Sequence, residues 1–201
     1  MADIRYLRGP EMDAYVPSWA DEVEKITNHE PHLLPHQAEI LRAANATGRV
    51  IIAIDLEAHA RIVGCIVLWP LYINIRDEAE WNELGTVFVI PEYRYSANRD
   101  LKIADTLYRR MLKAFPHEQI LATTTNPSAL KSGERAGLKH PGFRVLPDEV
   151  RDATCVCPKE KTGVDNPRDC PLRDTRCFVR VSPETWQRLG QPDLIPFSHV
   201  L

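Results

Sequence analysis

Hydrophobic positions along the chain change period several times, and each change predicts an element. "IRYLR" (4 to 8) alternates, as a short strand does. From Pro10 onward, Met12, Tyr15, Val16, Trp19, Val23 and Ile26 recur at helical spacing, with Pro17 placed to kink or split the helix. "HEPHLLPH" breaks the pattern, and "HQAEILRAANATG" resumes it as a second helix that stops at Gly48. Two buried strands follow, "RVIIAIDLE" (49 to 57) and "RIVGCIVLWPLYI" (61 to 73). They are joined by "AHA", a hairpin turn without the usual Asn-Gly or Gly-rich signal.

"NELGTVFVIP" is apolar on both faces towards its end, the pattern of a central strand covered on both sides. A helix over about 100 to 115 sets Leu101, Ala104, Leu107, Tyr108, Met111, Leu112 and Phe115 on one stripe, and Pro116 ends it. "QILATTT" is the next strand. "NPSALKSGERAGL" is a helix with Asn126 as cap and Pro127 in its first turn, and "GFRVLP" a further strand. "CFVRV" and a short helix begun by "SPETW" close the chain. No internal repeat is present.

At 201 residues the chain suits one domain over 1–201 with an appendage at most. Twenty-five Lys and Arg against 28 Asp and Glu leave a net charge of −3, so nothing global points to nucleic acid or an anionic membrane, and any anion site must be local. The longest mostly apolar run, "IVGCIVLWPLYINI", is too short to span a bilayer, and the first residues lack a signal-peptide pattern. A cytoplasmic protein is expected, in which five cysteines read as metal ligands or reduced thiols more readily than as disulfides.

The order strand, two helices, three strands, helix, strand, helix, strand resembles the GNAT superfamily of acyl-CoA-dependent N-acyltransferases. The likeness covers residues 4 to 147, or to 181 if "CFVRV" is the last strand. It rests locally on "NELGTVFVIPEYR", similar to a fourth strand ending V-x-P-x-x-R, and on "NPSALKSGERAGL", similar to the later helix N-x-x-A-x-x-x-Y-E-K-x-G-F. It implies an α+β fold, a three-layer arrangement in which helices flank a mixed, mainly antiparallel sheet. It also implies transfer of an acyl group, acetyl from acetyl-CoA, to an amine.

In that family the fourth strand leads into R/Q-x-x-G-x-G/A, whose backbone N–H groups hold the CoA pyrophosphate. Here "PEYRYSANRDLKIADTL" (91 to 107) contains no glycine. One register starts at Arg94 and puts Ala97 and Arg99 at the glycine positions. The other, preferred, starts at Arg99. It puts Lys102 at the first glycine and Ala104 at the permitted alanine, with Ile103 and Leu107 on core positions, at the cost of roughly five inserted residues. Backbone donors and the helix dipole do not need glycine as such, and Arg94, Arg99 and Lys102 add cations. The plainer alternative is that these three are solvated charges at a helix start.

The resemblance further implies roles for single residues. Glu83, eight residues before Pro91, matches an acidic position that often serves as the base for the amine; the alternative is an exposed charge at a strand start. A backbone N–H near Phe88 or Val89 would meet the thioester oxygen, and Asn126 would position the pantetheine arm in addition to capping its helix. Where the family often has a tyrosine acid, this chain has Gly133, with Tyr93, Tyr95 or Ser132 as substitutes. A degenerate loop and the missing tyrosine leave open a catalytically inactive CoA-binding or protein-interaction module. Asp77, Glu78, Glu80 and Glu83 favour a cationic amine acceptor, and His29, His32 and His36 could touch substrate or a metal, or belong to an ordinary loop.

Cys155, Cys157, Cys170 and Cys177 form C-x-C-x12-C-x6-C in a segment (148–180) with few large apolar residues. Such an insert either stays mobile or is held by a staple such as a zinc ion on four thiolates; reduced thiols or a disulfide are the alternatives. Cys65, inside an apolar strand, is a small core residue.

Overall fold

The computed structural model describes residues 2–30, 33–73, 80–94, 101–154, 170, 172, 174 and 176–195. In chain order the elements are β1 (Ile4–Arg8), α1 (Glu11–Tyr15), α2 (Trp19–His29), α3 (Ala38–Ala46), β2 (Val50–Asp55), β3 (Arg61–Pro70), β4 (Trp81–Val89), α4 (Pro91–Arg94), α5 (Ile103–Ala114), β5 (Gln119–Thr124), α6 (Pro127–Arg135), α7 (Asp148–Thr154), β6 (Phe178–Val181) and α8 (Pro183–Arg188). The strands form one six-stranded sheet in the order β1-β2-β3-β4-β5-β6. It is antiparallel at β1–β2, β2–β3 and β5–β6, and parallel at β4–β5, so the expected α+β class with a mixed, mainly antiparallel sheet flanked by helices holds.

Contacts gather into two compact units, Met1–Trp69 with Gly85–Ala114, and Pro70–Leu84 with Phe115–Leu201. In the first unit Pro17, which has no N–H to donate and whose ring clashes with the carbonyl four residues back, splits the first helix into α1 and α2. The β2–β3 turn is made without glycine: His59 and Ala60 both take left-handed φ, 56° and 58°, the torsions that suit a tight hairpin between twisted strands. Strand β2 is buried along its whole length and α5 packs on it through Ile103, Leu107, Tyr108 and Met111. Gly64 on β3 permits this approach. A Cβ there would lie 3.0 Å from the Phe88 carbonyl oxygen and 3.2 Å from both Ile103 Cγ2 and Leu107 Cδ1.

In the second unit α6 and α8 pack on β5, and each begins with a side-chain cap. Asn126 accepts hydrogen bonds from the N–H groups of Ser128 and Ala129, at 2.8 and 3.4 Å, and Ser182 accepts from Thr185 N–H at 3.1 Å. Two expectations change here. "GFRVLP" is not a strand: Phe143–Val145 is a single 3-10 turn, because Gly142 enters it at φ 85° and the Asp174 carboxylate takes the Phe143 N–H at 3.1 Å, removing it from any ladder. The segment from 148 also orders further than its composition implies. Helix α7 sends Val150 into a core shared with Trp81, Leu121, Phe143, Leu146, Val179 and Val181, against which Cys177 packs.

Candidate functional site

In the first unit the candidate site lies along the end of β4 and the start of α5. Strand β4 is not a regular ribbon, since Thr86 in its middle holds φ 51°, a left-handed torsion that a β-branched residue adopts only under constraint. Trp69 of β3 supplies part of that constraint, donating from Nε1 to Thr86 Oγ1 at 3.1 Å. Beyond the kink, Ile90 N–H donates to the Val63 carbonyl, so that N–H faces β3. Alternate residues of a strand turn their N–H groups to the same edge, which places Phe88 N–H toward β3 as well and leaves Val89 N–H on the opposite edge. Of the two backbone donors proposed from sequence, Val89 is therefore the one turned away from a neighbouring strand that would use it.

Arg94 curls back on this strand end. Its Nε donates to the Val89 carbonyl and its Nη2 pairs with Glu30 at 3.2 Å. The start of α5 has the opposite character. The Lys102 carbonyl accepts from Thr106 N–H at 3.0 Å and so closes the first turn of α5. Lys102 itself is exposed and takes φ 46°. This is the region in which glycine is comfortable and lysine is not, at the position that the register beginning at Arg99 aligns with a glycine. Arg99 and Tyr95 lie outside the described residues.

In the second unit, Glu83 pairs with Leu121 at the last recorded rung of the parallel β4–β5 ladder. It is half-buried, and Thr123 Oγ1 donates to its Oε1 at 2.7 Å. Burial pushes its carboxyl above the ordinary range, with the Thr123 bonds opposing. An exposed charge at a strand start would show neither feature. Gly133 of α6 has no room for a side chain: a Cβ would fall 2.3 Å from Arg180 Nη1 and 3.0 Å from Leu138 Cδ1. Arg180 is almost wholly buried and donates to the Ala129 carbonyl at 2.6 Å, so the guanidinium fills the space over Gly133. Of the residues named as substitutes for the tyrosine, Ser132 is buried and accepts from Arg135 at 3.0 Å. Tyr93, in the first unit, donates to Asp55 at 2.5 Å, and that bond raises its pKa.

The remaining candidates divide. Asp77, Glu78, His32, Cys155 and Cys157 lie outside the described residues, and Glu80 is exposed. His29 bonds the Lys25 carbonyl at the end of α2, at 2.7 Å, while His36 stacks on the Trp69 indole with ring centroids 4.4 Å apart. Cys170 and Cys177 are half-buried, and among the described residues no group of three or more His, Cys, Asp or Glu could hold a metal ion. Cys65 is fully buried, and burial raises its thiol pKa far above the ordinary range, as befits a core residue. No helix among the described residues is long and apolar enough to cross a membrane.

A strand kinked near its end and a helix entered through a left-handed residue occur within a fold that solved structures share. The chain is similar to a structure of the NatC complex bound to Gag peptide and CoA (TM-score 0.57, 16% identity, 90% of this chain and 98% of that one). It is similar to Arabidopsis thaliana Naa50 in complex with the bisubstrate analogue CoA-Ac-MVNAL (TM-score 0.53, 14% identity, 89% and 97%). A third is N-acetylglutamate synthase from Neisseria gonorrhoeae complexed with coenzyme A and N-acetyl-glutamate (TM-score 0.53, 14% identity, 90% and 35%). The fold is thus that of GNAT N-acetyltransferases. By sequence, no family model and no curated protein matches the chain.

Proposed function

We propose that the protein is an acyl-CoA-dependent N-acyltransferase that moves acetyl from acetyl-CoA to an amine. The observation that carries this reading is Lys102. A lysine held at φ 46° at the start of α5 carries the torsion that an anion loop ordinarily gives to glycine, beside the backbone N–H groups of Ile103 and Ala104. These groups suit a pyrophosphate, with Arg99 and Lys102 as accompanying cations. Arg94, paired with Glu30, contributes less. Asn126 fixes the first turn of α6 and is the residue we assign to the pantetheine arm.

Bound acetyl-CoA would supply the thioester; the rest is done by side chains and backbone. Val89 N–H, with Phe88 the less favoured donor, would take the oxygen that gains charge as the amine attacks. Glu83, its carboxyl raised by burial and steadied by Thr123, is the proposed base that removes the amine proton. Similar structures hold a peptide or N-acetyl-glutamate beside CoA, so peptides and amino acids are the acceptors to try first. The 1–201 chain is taken as one domain, with structural zinc on Cys155, Cys157, Cys170 and Cys177 in the 148–180 segment.

A second reading is favoured by the crowding of Gly133 beneath Arg180: with no acid there, the same fold could bind CoA without turning it over. Incubation with acetyl-CoA and a panel of free peptides, amino acids and polyamines, read by mass spectrometry, separates the two. Acetylated product supports the enzyme. CoA binding with no product from any acceptor supports the binding module.

A further inference from the structure

His36 is half-buried in the segment between α2 and α3, yet no hydrogen bond reaches its ring nitrogens among the described residues. Its position is nonetheless fixed. The ring lies on the Trp69 indole at 4.4 Å and 25° between planes, and Trp69 is in turn tied to the kink of β4. Trp69 Nε1 bonds Thr86 Oγ1, and a Cβ on Gly85 would sit 2.8 Å from Trp69 Cδ1, so only glycine lets the indole lie this close to the strand. The left-handed Thr86, the indole and the imidazole thus form one braced stack. Three residues further on, roughly 10 Å along the strand, is Val89, whose N–H is turned away from β3. That interval is long enough for a carbonyl at one end and an approaching amine at the other.

From this arrangement we infer that His36 touches the acceptor amine and takes its proton. The inference rests on the acyltransferase reading and gives the proton a destination other than Glu83. An ammonium R–NH3+ gives one proton to the free ring nitrogen of His36, leaving R–NH2 and an imidazolium. The amine lone pair forms the new C–N bond at the thioester carbonyl, and the C–S bond breaks with its electron pair going to the CoA sulfur. The nitrogen sheds its second proton to water, and the half-exposed imidazolium returns its proton to solvent or to the thiolate. Burial lowers the pKa of His36, so the ring is in its neutral, accepting form at neutral pH. The Trp69 face is the reason a histidine is useful here: stacking holds the ring in place while using neither nitrogen.

The test uses the full chain with acetyl-CoA and three acceptor probes, the free peptide Met-Val-Asn-Ala-Leu, L-glutamate and spermidine, following acetylated product. His36→Phe keeps a ring on Trp69 but removes the base, and kcat/KM should fall by about 10²- to 10⁴-fold with acetyl-CoA affinity and Tm unchanged. His36→Ala should be equally slow and should recover with added imidazole but not with pyrrole, which has the same shape and no basic nitrogen. A wild type that acetylates a probe while His36→Phe matches its rate overturns this inference and leaves the acyltransferase reading standing. Rescue of His36→Ala by pyrrole as well as imidazole also overturns it, since shape alone would then suffice. A wild type that neither binds acetyl-CoA nor acetylates any probe overturns both.

Discussion

Replacing Lys102 by glycine should make the protein more stable. Lys102 is exposed, so the change removes little packing, but it relieves a left-handed torsion of 46°. A side chain in that region costs about 1–2 kcal/mol. Against this, glycine gives up about 0.5–1 kcal/mol through the freer unfolded chain. The net gain is about 0–1.5 kcal/mol, and in a chain of this size that raises Tm by up to about 6 °C. Lys102→Ala is the control: it removes the same charge but keeps a Cβ at the same torsion, so its Tm should stay near that of the wild type. The assay is a thermal melt of the three proteins with and without CoA. Without ligand the order should be glycine above lysine and alanine. With CoA, the glycine variant should be protected at least as well as the alanine variant, because on the proposed reading the backbone at the start of α5 does the binding and glycine lets the phosphates closer. A glycine variant that melts no higher than the alanine variant would refute the claim that this position is strained.

Where Glu83 is the base, Glu83→Gln should lower turnover by about 10²- to 10⁴-fold with CoA affinity nearly unchanged, and the deficit should shrink at high pH, where more free amine is present; where His36 takes the proton instead, turnover should hold. The same substitution should stabilise the fold at neutral pH. Because the folded pKa of Glu83 is raised, the folded protein binds more protons between the unfolded value, about 4.3, and its own, so stability falls across that window and the advantage of Gln disappears below it. Gly133→Ala should destabilise by about 1–3 kcal/mol, since the new methyl must push Arg180 off the Ala129 carbonyl or Leu138 out of place; an unchanged urea midpoint would count against that crowding. Protein purified without chelator should carry one zinc, and Cys157→Ser should release it; no stoichiometric metal together with five titratable thiols would end the zinc proposal.

Elements whose signals are local could be read from the sequence. The Asn126–Pro127 start of α6 and the split at Pro17 depend on capping chemistry and a missing N–H, and both appear where the residues place them; α5 is shorter than its stripe, leaving Leu101 and Phe115 outside, and buries Ile103 and Asp105 along with Leu107, Tyr108 and Met111. "GFRVLP" misled because its alternation is real but its first N–H is taken by Asp174, thirty-one residues away, which no local pattern reveals. Val150 misled in the same way: one valine in a polar stretch looks too little to order a helix, but it completes a core assembled from distant strands.

At the site, Glu83 could be named from its place on β4, but its burial depends on β5 and its hydrogen bond on Thr123, forty residues on. Lys102 was legible only through the resemblance, since residue type alone argues against a left-handed torsion. The crowding over Gly133 comes from Arg180 of another strand, so the sequence could register the missing tyrosine without its physical reason. His36 gave a weak signal, a histidine directly after Pro35, and acquires meaning only from Trp69 and the kink at Thr86.

Calorimetric titration of acetyl-CoA into the full chain tests the central claim most directly. The account predicts one-to-one binding that weakens tenfold or more in Arg99→Glu, as expected when a charge-assisted phosphate contact of about 1.5–3 kcal/mol is lost. No heat and no rise in Tm at millimolar acetyl-CoA would contradict it.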